Sequence, residues 1–315
     1  MPDLPVVALT SPIHPDAHAR LAAEGEVRVA AGPDADALRA VVREADGLIV
    51  RNHLPEDIFD HAPRLRAVMR HGVGLDMIPV ERATARGIAV GNLPGSNTAA
   101  VVEYCLGAML QLRRGLSTMD AALRGQGWAP ARAMADRGTE LRGTTCGIVG
   151  VGTIGAQLAA LCQALGMRTL GLTRRPDTLP AGVQAADLAT LMRESDVIVL
   201  CCPLTPQTRG LIDADALALA RPDAILINVA RGPVVVTAAL ADALARGALG
   251  GAALDVHDTQ PLPADAAILH APRTLLTPHV AGSTATSMRR MSDGAVDDML
   301  RMLRGQAPSH PVNTP

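Results

Sequence analysis

Short apolar, β-branched runs alternate with helix-length amphipathic segments along the whole 315-residue chain, and this alternation restricts the fold more than any other feature. A strand covered on both faces reads as a continuous apolar run, and two parallel strands need a crossover long enough to hold a helix. The pattern predicts an α/β protein of parallel sheets with helices on both faces. In the first third the runs are VVALT (6–10), EVRVA (26–30), GLIV (47–50), AVMR (67–70) and IAVGN (88–92). With Ala- and Arg-rich stretches such as 34–45 between them, these five make one small doubly wound unit. After the turn-rich LPGSN (93–97), a helical pattern runs from Thr98 to Arg114 and resumes toward Arg124, with Thr98 or Asn97 placed to cap its start. A second series follows: CGIVG (146–150), RTLGLT (168–173), DVIVLCC (196–202), AILINV (224–229), GGAALDV (250–256) and TLLTPH (274–279). Six strands with intervening helices fit a dinucleotide-binding fold. The segment 284–304 is helical again, and with the polar, Pro-rich tail to Pro315 it is expected to return to the first unit.

Composition closes off several mechanisms. All 29 basic residues are arginine, since lysine is absent, so no Schiff-base, P-loop or kinase-type lysine is available. Phe59, Tyr104 and Trp128 are the only Phe, Tyr and Trp, too few for a base-stacking platform. A formal charge of −2 offers no bulk attraction to nucleic acid or anionic lipid, and neither nucleic acid nor membrane is expected as a partner. The start MPDLPVVALTSPIHPD lacks the basic and apolar regions of a signal peptide, and no run approaches the roughly 18 apolar residues of a membrane span. A cytoplasmic address is the default expectation. Cys105, Cys146, Cys162, Cys201 and Cys202 form no C-x-x-C pair and read as reduced core residues, and no metal site is read.

Gly150-Val151-Gly152-Thr153-Ile154-Gly155 matches G-x-G-x-x-G, which alone is a weak signal. Here it follows a strand and opens a helical segment, the context in which the glycines allow a tight turn and bring backbone amides to a pyrophosphate at a helix N-terminus. The next strand ends in Thr173-Arg174-Arg175, where an Asp or Glu would hydrogen-bond an adenosine ribose. A hydroxyl and two guanidiniums in that place suit a 2′-phosphate, so NADP is favoured over NAD.

Three further segments complete a pattern: NVARG (228–232), LDVHDTQPL (254–262) and LTPHVAG (276–282). With GVGTIG, Cys202-Pro203-Leu204-Thr205 and GVGLD (72–76), the chain resembles the D-isomer-specific 2-hydroxyacid dehydrogenase family over nearly its whole length, in the manner of phosphoglycerate dehydrogenases and glyoxylate/hydroxypyruvate reductases. The resemblance implies a Rossmann dinucleotide-binding domain, 98–283, inserted into a flavodoxin-like substrate domain, 1–97 plus 284–315. It implies a hydride transfer between a nicotinamide cofactor and a small 2-keto or D-2-hydroxy acid, with glyoxylate, hydroxypyruvate and 3-phosphoglycerate all compatible. Arg231 resembles the residue that binds the substrate carboxylate and polarises the keto oxygen, and His279 the general acid/base. One fixed cation and one titratable imidazole are what this chemistry requires. The resemblance implies Arg51 and the backbone near Val73 and Gly74 as further substrate contacts. The cofactor contacts extend from the glycine turn to Cys202, Pro203, Thr208, Val229, Ala230, Arg231, Asp255, His279 and Gly282, with Asp255 on the nicotinamide carboxamide. A homodimer joined through 98–124 is implied as well, and at this length no appended regulatory domain is expected.

One position departs from the family. Where a Glu ordinarily precedes the proline and steadies the imidazolium, this chain has Gln260. An amide still orients the ring but carries no charge, so His279 is expected to be less readily protonated, with Asp258 a candidate to supply part of the missing charge. Formate dehydrogenases of the same superfamily place a Gln opposite the His and transfer hydride without an acid/base. A second alternative is a dinucleotide-sensing scaffold like the family's transcriptional corepressors, against which the retention of both Arg231 and His279 argues.

Overall fold

Twelve strands, every pairing between them parallel, form two sheets in the computed structural model, which describes residues 4–314. The chain divides into two units: unit one runs up to Asn97 and resumes at Ser283, and unit two is Thr98–Gly282. In unit one, β1 (Val6–Leu9), β2 (Glu26–Val29), β3 (Gly47–Val50), β4 (Ala67–Arg70) and β5 (Ala89–Gly91) lie in the order β2-β1-β3-β4-β5, the flavodoxin-like arrangement. Unit two holds β6 (Thr145–Val149), β7 (Arg168–Leu172), β8 (Val183–Ala185), β9 (Val197–Leu200), β10 (Ile225–Asn228), β11 (Gly251–Leu254) and β12 (Thr274–Leu276). Their order, β12-β11-β10-β9-β6-β7-β8, is the Rossmann winding with one added edge strand. The fold class expected from the alternating runs is the one observed.

Both sheets are apolar on both faces because strand side chains alternate. In unit one, Ala8, Leu48, Val50, Val68 and Val90 meet Leu38, Val42 and the fully buried Phe59 on one side. On the other, Val7, Leu9, Ile49 and Met69 meet Leu21 and the underside of helix Ala285–Leu303, namely Met291, Val296, Met299 and Met302. Gly47 allows this approach, since a Cβ there would stand 2.4 Å from Met299 Sδ. In unit two, Ile148, Val199, Ile227 and Ala253 face one layer, and Val149, Ile198, Leu200, Leu226 and Leu254 the other.

Helix starts follow short polar caps. Asp34, Asp187 and Asp213 accept from the backbone three residues on, and Thr284 with Ser287 forms a reciprocal capping box at the head of helix Ala285–Leu303. The cap expected from Asn97 or Thr98 is not made: Asn97 Oδ1 is buried without a hydrogen-bond partner, and helix Thr98–Arg114 begins in apolar contact instead. Among the described residues, no helix is long and apolar enough to cross a membrane, and no cluster of three or more His, Cys, Asp or Glu could hold a metal.

Met299 is fully buried where helix Ala285–Leu303 meets the sheet. Met299→Ala should lower stability by about 2–4 kcal/mol through lost burial and a residual cavity, read from equilibrium unfolding in urea. A loss under about 1 kcal/mol would mean that the helix settles into the space.

Candidate active site

In unit two the parallel sheet brings the predicted cofactor residues to one end, because each follows the carboxyl end of a neighbouring strand: Gly150 after β6, Cys202 and Pro203 after β9, Val229 and Ala230 after β10, Asp255 after β11. The order of winding reverses between β6 and β9, the position where open α/β sheets leave a crevice. The three motif glycines answer different needs. Gly150 has φ 92°, and a Cβ on it would meet the Cys202 backbone at 2.6 Å. Gly155 lies so close to β6 that a Cβ would stand 2.4 Å from Gly150 O. Gly152 faces open space, with nothing within 4 Å of a Cβ. It precedes helix Thr153–Ala164, whose first turn has neither a side-chain cap nor an acidic residue. Bare backbone N–H groups with the positive end of a helix dipole behind them fit a pyrophosphate. Thr153 is exposed and Ile154 half-buried at the same turn.

Past the end of β7, Thr173 Oγ1 accepts from Arg175 N at 3.2 Å, and Arg174 and Arg175 are exposed without an ion-pair partner among the described residues. Thr208 is turned inward: its hydroxyl donates to Pro203 O at 2.7 Å and accepts from Thr205 N at 2.8 Å, closing the loop after β9. Burial pushes the Cys202 thiol up, which leaves it unreactive beside this turn.

Arg231 and His279 sit on loops fixed from beneath. Asn228, 1% exposed, accepts from Ala230 N and donates to Arg231 O, both at 3.0 Å, so the chain bends immediately after β10. Gly232 lets this bend touch the loop after β11, since a Cβ would lie 2.1 Å from the His257 carbonyl carbon. Arg231 Nη1 donates to Ala230 O at 2.7 Å. His279 has φ 58°, a left-handed conformation unusual for a residue with a side chain. Asp255 holds it there: its carbonyl accepts from His279 N at 2.7 Å, and its buried carboxylate accepts from Val280 N and the Thr277 hydroxyl at 2.7 Å and from Ala281 N at 2.8 Å. The Thr277 hydroxyl in turn lies 2.7 Å from Tyr104 Oη, and burial raises that phenol to about 12. Asp255 thus shapes the His279 loop, a role its expected carboxamide contact did not include.

Gln260 Oε1 is 3.0 Å from His279 Nδ1, and Gln260 Nε2 points to His257 O at 3.4 Å. With the amide so oriented, Nδ1 carries the hydrogen. The Asp258 carboxylate receives the Thr237 hydroxyl at 2.6 Å.

In unit one, the loop after β4 is held by its carbonyls. Asn92 Nδ2 donates to Val73 O at 2.8 Å and Arg70 Nε to Gly74 O at 2.9 Å, while the N–H groups of Val73 and Gly74 have no partner among the described residues. Arg70 also donates to Val50 O and His71 O. Neither Arg70 nor Asn92 was singled out from sequence, because a side chain aimed at a main-chain carbonyl leaves no periodic signal. Arg51, after β3, donates to Pro12 O and approaches Met288 Sδ at 3.9 Å, and burial lowers its pKa.

His71, 3% exposed, faces Ser292 Oγ at 2.8 Å, and that hydroxyl already accepts from His14 N. Burial, then the guanidiniums of Arg51 and Arg70, hold the His71 pKa down to about 3 from 6.5. The unfolded chain therefore binds more protons across this window, and the stability from neutral His71 is lost as pH falls below about 6.5. His71→Gln should flatten the decline of unfolding free energy between about pH 6.5 and 4. A slope equal to the wild type would mean that another group titrates.

Residues 106–281 match the model of the D-isomer specific 2-hydroxyacid dehydrogenase NAD binding domain. The chain is 38% identical over 317 residues to the D-3-phosphoglycerate dehydrogenase of Mycobacterium bovis, covering 98% of this chain and 59% of that protein, so it spans about three fifths of that relative's length. To the glyoxylate reductase of Aeropyrum pernix it is 36% identical over 290 residues, covering 89% of this chain and 87% of that one. A solved structure of an NADPH-dependent glyoxylate/hydroxypyruvate reductase from Sinorhizobium meliloti, in complex with NADP and malonate, superposes with a TM-score of 0.88 at 31% identity, covering 99% of this chain and 98% of that one. With a family model across more than half of its length and a relative of this identity matched nearly end to end, the chain belongs to the D-isomer specific 2-hydroxyacid dehydrogenase family.

Proposed function

We propose that this protein is an NAD(P)-dependent oxidoreductase that interconverts a small 2-keto acid and its D-2-hydroxy acid, with NADP favoured over NAD. The observation that carries the reading is the hold on His279, whose Nδ1 lies 3.0 Å from the Gln260 side-chain carbonyl, a contact that fixes the ring and its tautomer as a general acid/base requires. The nicotinamide, when bound, supplies or accepts the hydride at C2. In the reducing direction His279 Nε2 gives a proton to the keto oxygen, and Arg231 binds the carboxylate and polarises the carbonyl. The amides of Val73 and Gly74 suit a carboxylate, and Arg51 adds positive charge at the same strand ends. Gly150, Gly152, Thr153, Ile154 and Gly155 would hold the pyrophosphate, and Cys202, Pro203, Val229, Ala230, Asp255 and Gly282 would border the rest of the cofactor. The exposed Leu116, Leu123 and Trp128, at 51%, 45% and 74%, support a homodimer formed through this helical segment.

The neutral Gln260 beside His279 favours one second reading, hydride transfer from formate, which releases carbon dioxide and needs no acid. Absorbance assays of NADH and NADPH with glyoxylate, hydroxypyruvate and longer 2-keto acids, and of the oxidised cofactors with formate and 3-phosphoglycerate, separate the readings. Oxidation of NADPH by a keto acid is expected. Turnover with formate alone would replace the reading by acid-free transfer, and cofactor binding with no turnover at all would replace it by a sensing scaffold.

Removing Arg174 and Arg175 together as alanines should raise KM for NADPH at least about tenfold more than KM for NADH, since each guanidinium–phosphate contact contributes about 1.5–3 kcal/mol. Equal effects would refute the 2′-phosphate role. Gln260→Glu should move the upper pH limit of keto-acid reduction upward by about one unit, because a carboxylate on Nδ1 favours the imidazolium that acts as the acid. An unchanged profile in single-turnover reduction would refute proton donation by His279.

A further inference from the structure

Unit one carries a cavity of about 300 Å3 at the amino ends of its strands, opposite the ends that bear Arg51, Val73 and Gly74. Pro5, Asp46 and Arg66 each stand one residue before a strand, β1, β3 and β4. Leu300, Leu303 and Arg304 close the cavity from the last turn of helix Ala285–Leu303. The four residues of β4 put Arg66 about 13 Å from the substrate-type loop that follows Arg70.

Two of the three guanidiniums here are committed, Arg64 to Asp46 and Arg304 to Glu24, each pair at 3.0 Å. Asp46 is further occupied by Val6 N at 2.8 Å. The Arg66 backbone is tied down, its N–H on Asp46 O at 3.0 Å, but its guanidinium makes no ion pair or hydrogen bond among the described residues. Three arginines against Glu24 and Asp46 leave one positive charge in excess. Pro5, Leu300 and Leu303 supply an apolar wall beside it.

We propose that this cavity binds a small aliphatic monocarboxylate, with the carboxylate in the Arg66 fork and the hydrocarbon against Pro5, Leu300 and Leu303. A guanidinium presents two parallel N–H groups that match a planar carboxylate. A phosphate dianion would call for a second uncommitted cation, which the lining does not hold. The apolar wall has no use for a purely inorganic ion but gains from covering a short hydrocarbon chain.

Calorimetric titration of the full chain with sodium isovalerate, and in parallel with inorganic phosphate, tests this. The wild type should bind isovalerate saturably, Arg66→Glu should bind it at least about tenfold more weakly, and Arg231→Ala should bind it as the wild type does. Arg66→Ala should lose affinity in the same direction but less, since it adds no repulsion. Absence of saturable binding to the wild type, unaltered binding by Arg66→Glu, or loss in Arg231→Ala instead would overturn the site. Phosphate binding as tight as isovalerate would overturn the ligand class.

Discussion

The buried carboxylate of Asp255 is the group on which the loop that bears His279 depends. At 2% exposure an ionised carboxyl is tolerated only when its oxygens are hydrogen-bonded, and three donors from the 277–281 segment meet that condition. In return the segment is over-determined. His279 can keep a left-handed backbone, which costs roughly 1–2 kcal/mol, because its neighbours on the C-terminal side and its own N–H are all anchored to one residue. The Tyr104–Thr277–Asp255 chain then ties this anchor to helix Thr98–Arg114, so the imidazole is referred to the core and not to the solvent-facing loop alone.

Unit one solves a similar problem with opposite polarity. There Arg70 and Asn92 hold a loop by its carbonyls, while the N–H groups of Val73 and Gly74 have no partner among the described residues. In unit two a carboxylate holds a loop by its amides. Each loop is thus fixed through one kind of main-chain group, carbonyls in unit one and amides in unit two.

Eleven of the twelve strands coincide with runs read from the sequence; most are buried on both faces and so read as continuous apolar runs, while Glu26–Val29 and Thr274–Leu276 hold no fully buried residue and are read from their β-branched and aliphatic residues. The exception, Val183–Ala185, is a three-residue edge strand whose last two residues are exposed, so nothing in its composition marks it. The glycine turn is legible from its place between strand and helix, and Gln260 only from the resemblance to a family that ordinarily has a Glu before that proline. What escapes is contact made through the backbone: Arg70 and Asn92 reach carbonyls, and Asp255 reaches amides. The Thr237 hydroxyl on Asp258 is a further contact that spacing along the chain does not indicate. Asn97 likewise has the right residue type for a cap, yet its carbonyl oxygen stays unpaired.

The glycine turn also separates two kinds of selection that a motif writes with one letter. Gly150 and Gly155 are glycines because atoms of the chain itself occupy the place of a Cβ. Gly152 meets no such obstacle, so a methyl group there would leave the fold at ease and intrude only on whatever approaches from outside. Two of the three letters therefore record the protein's own architecture, and the middle one keeps open a space at the helix start that the fold itself does not need.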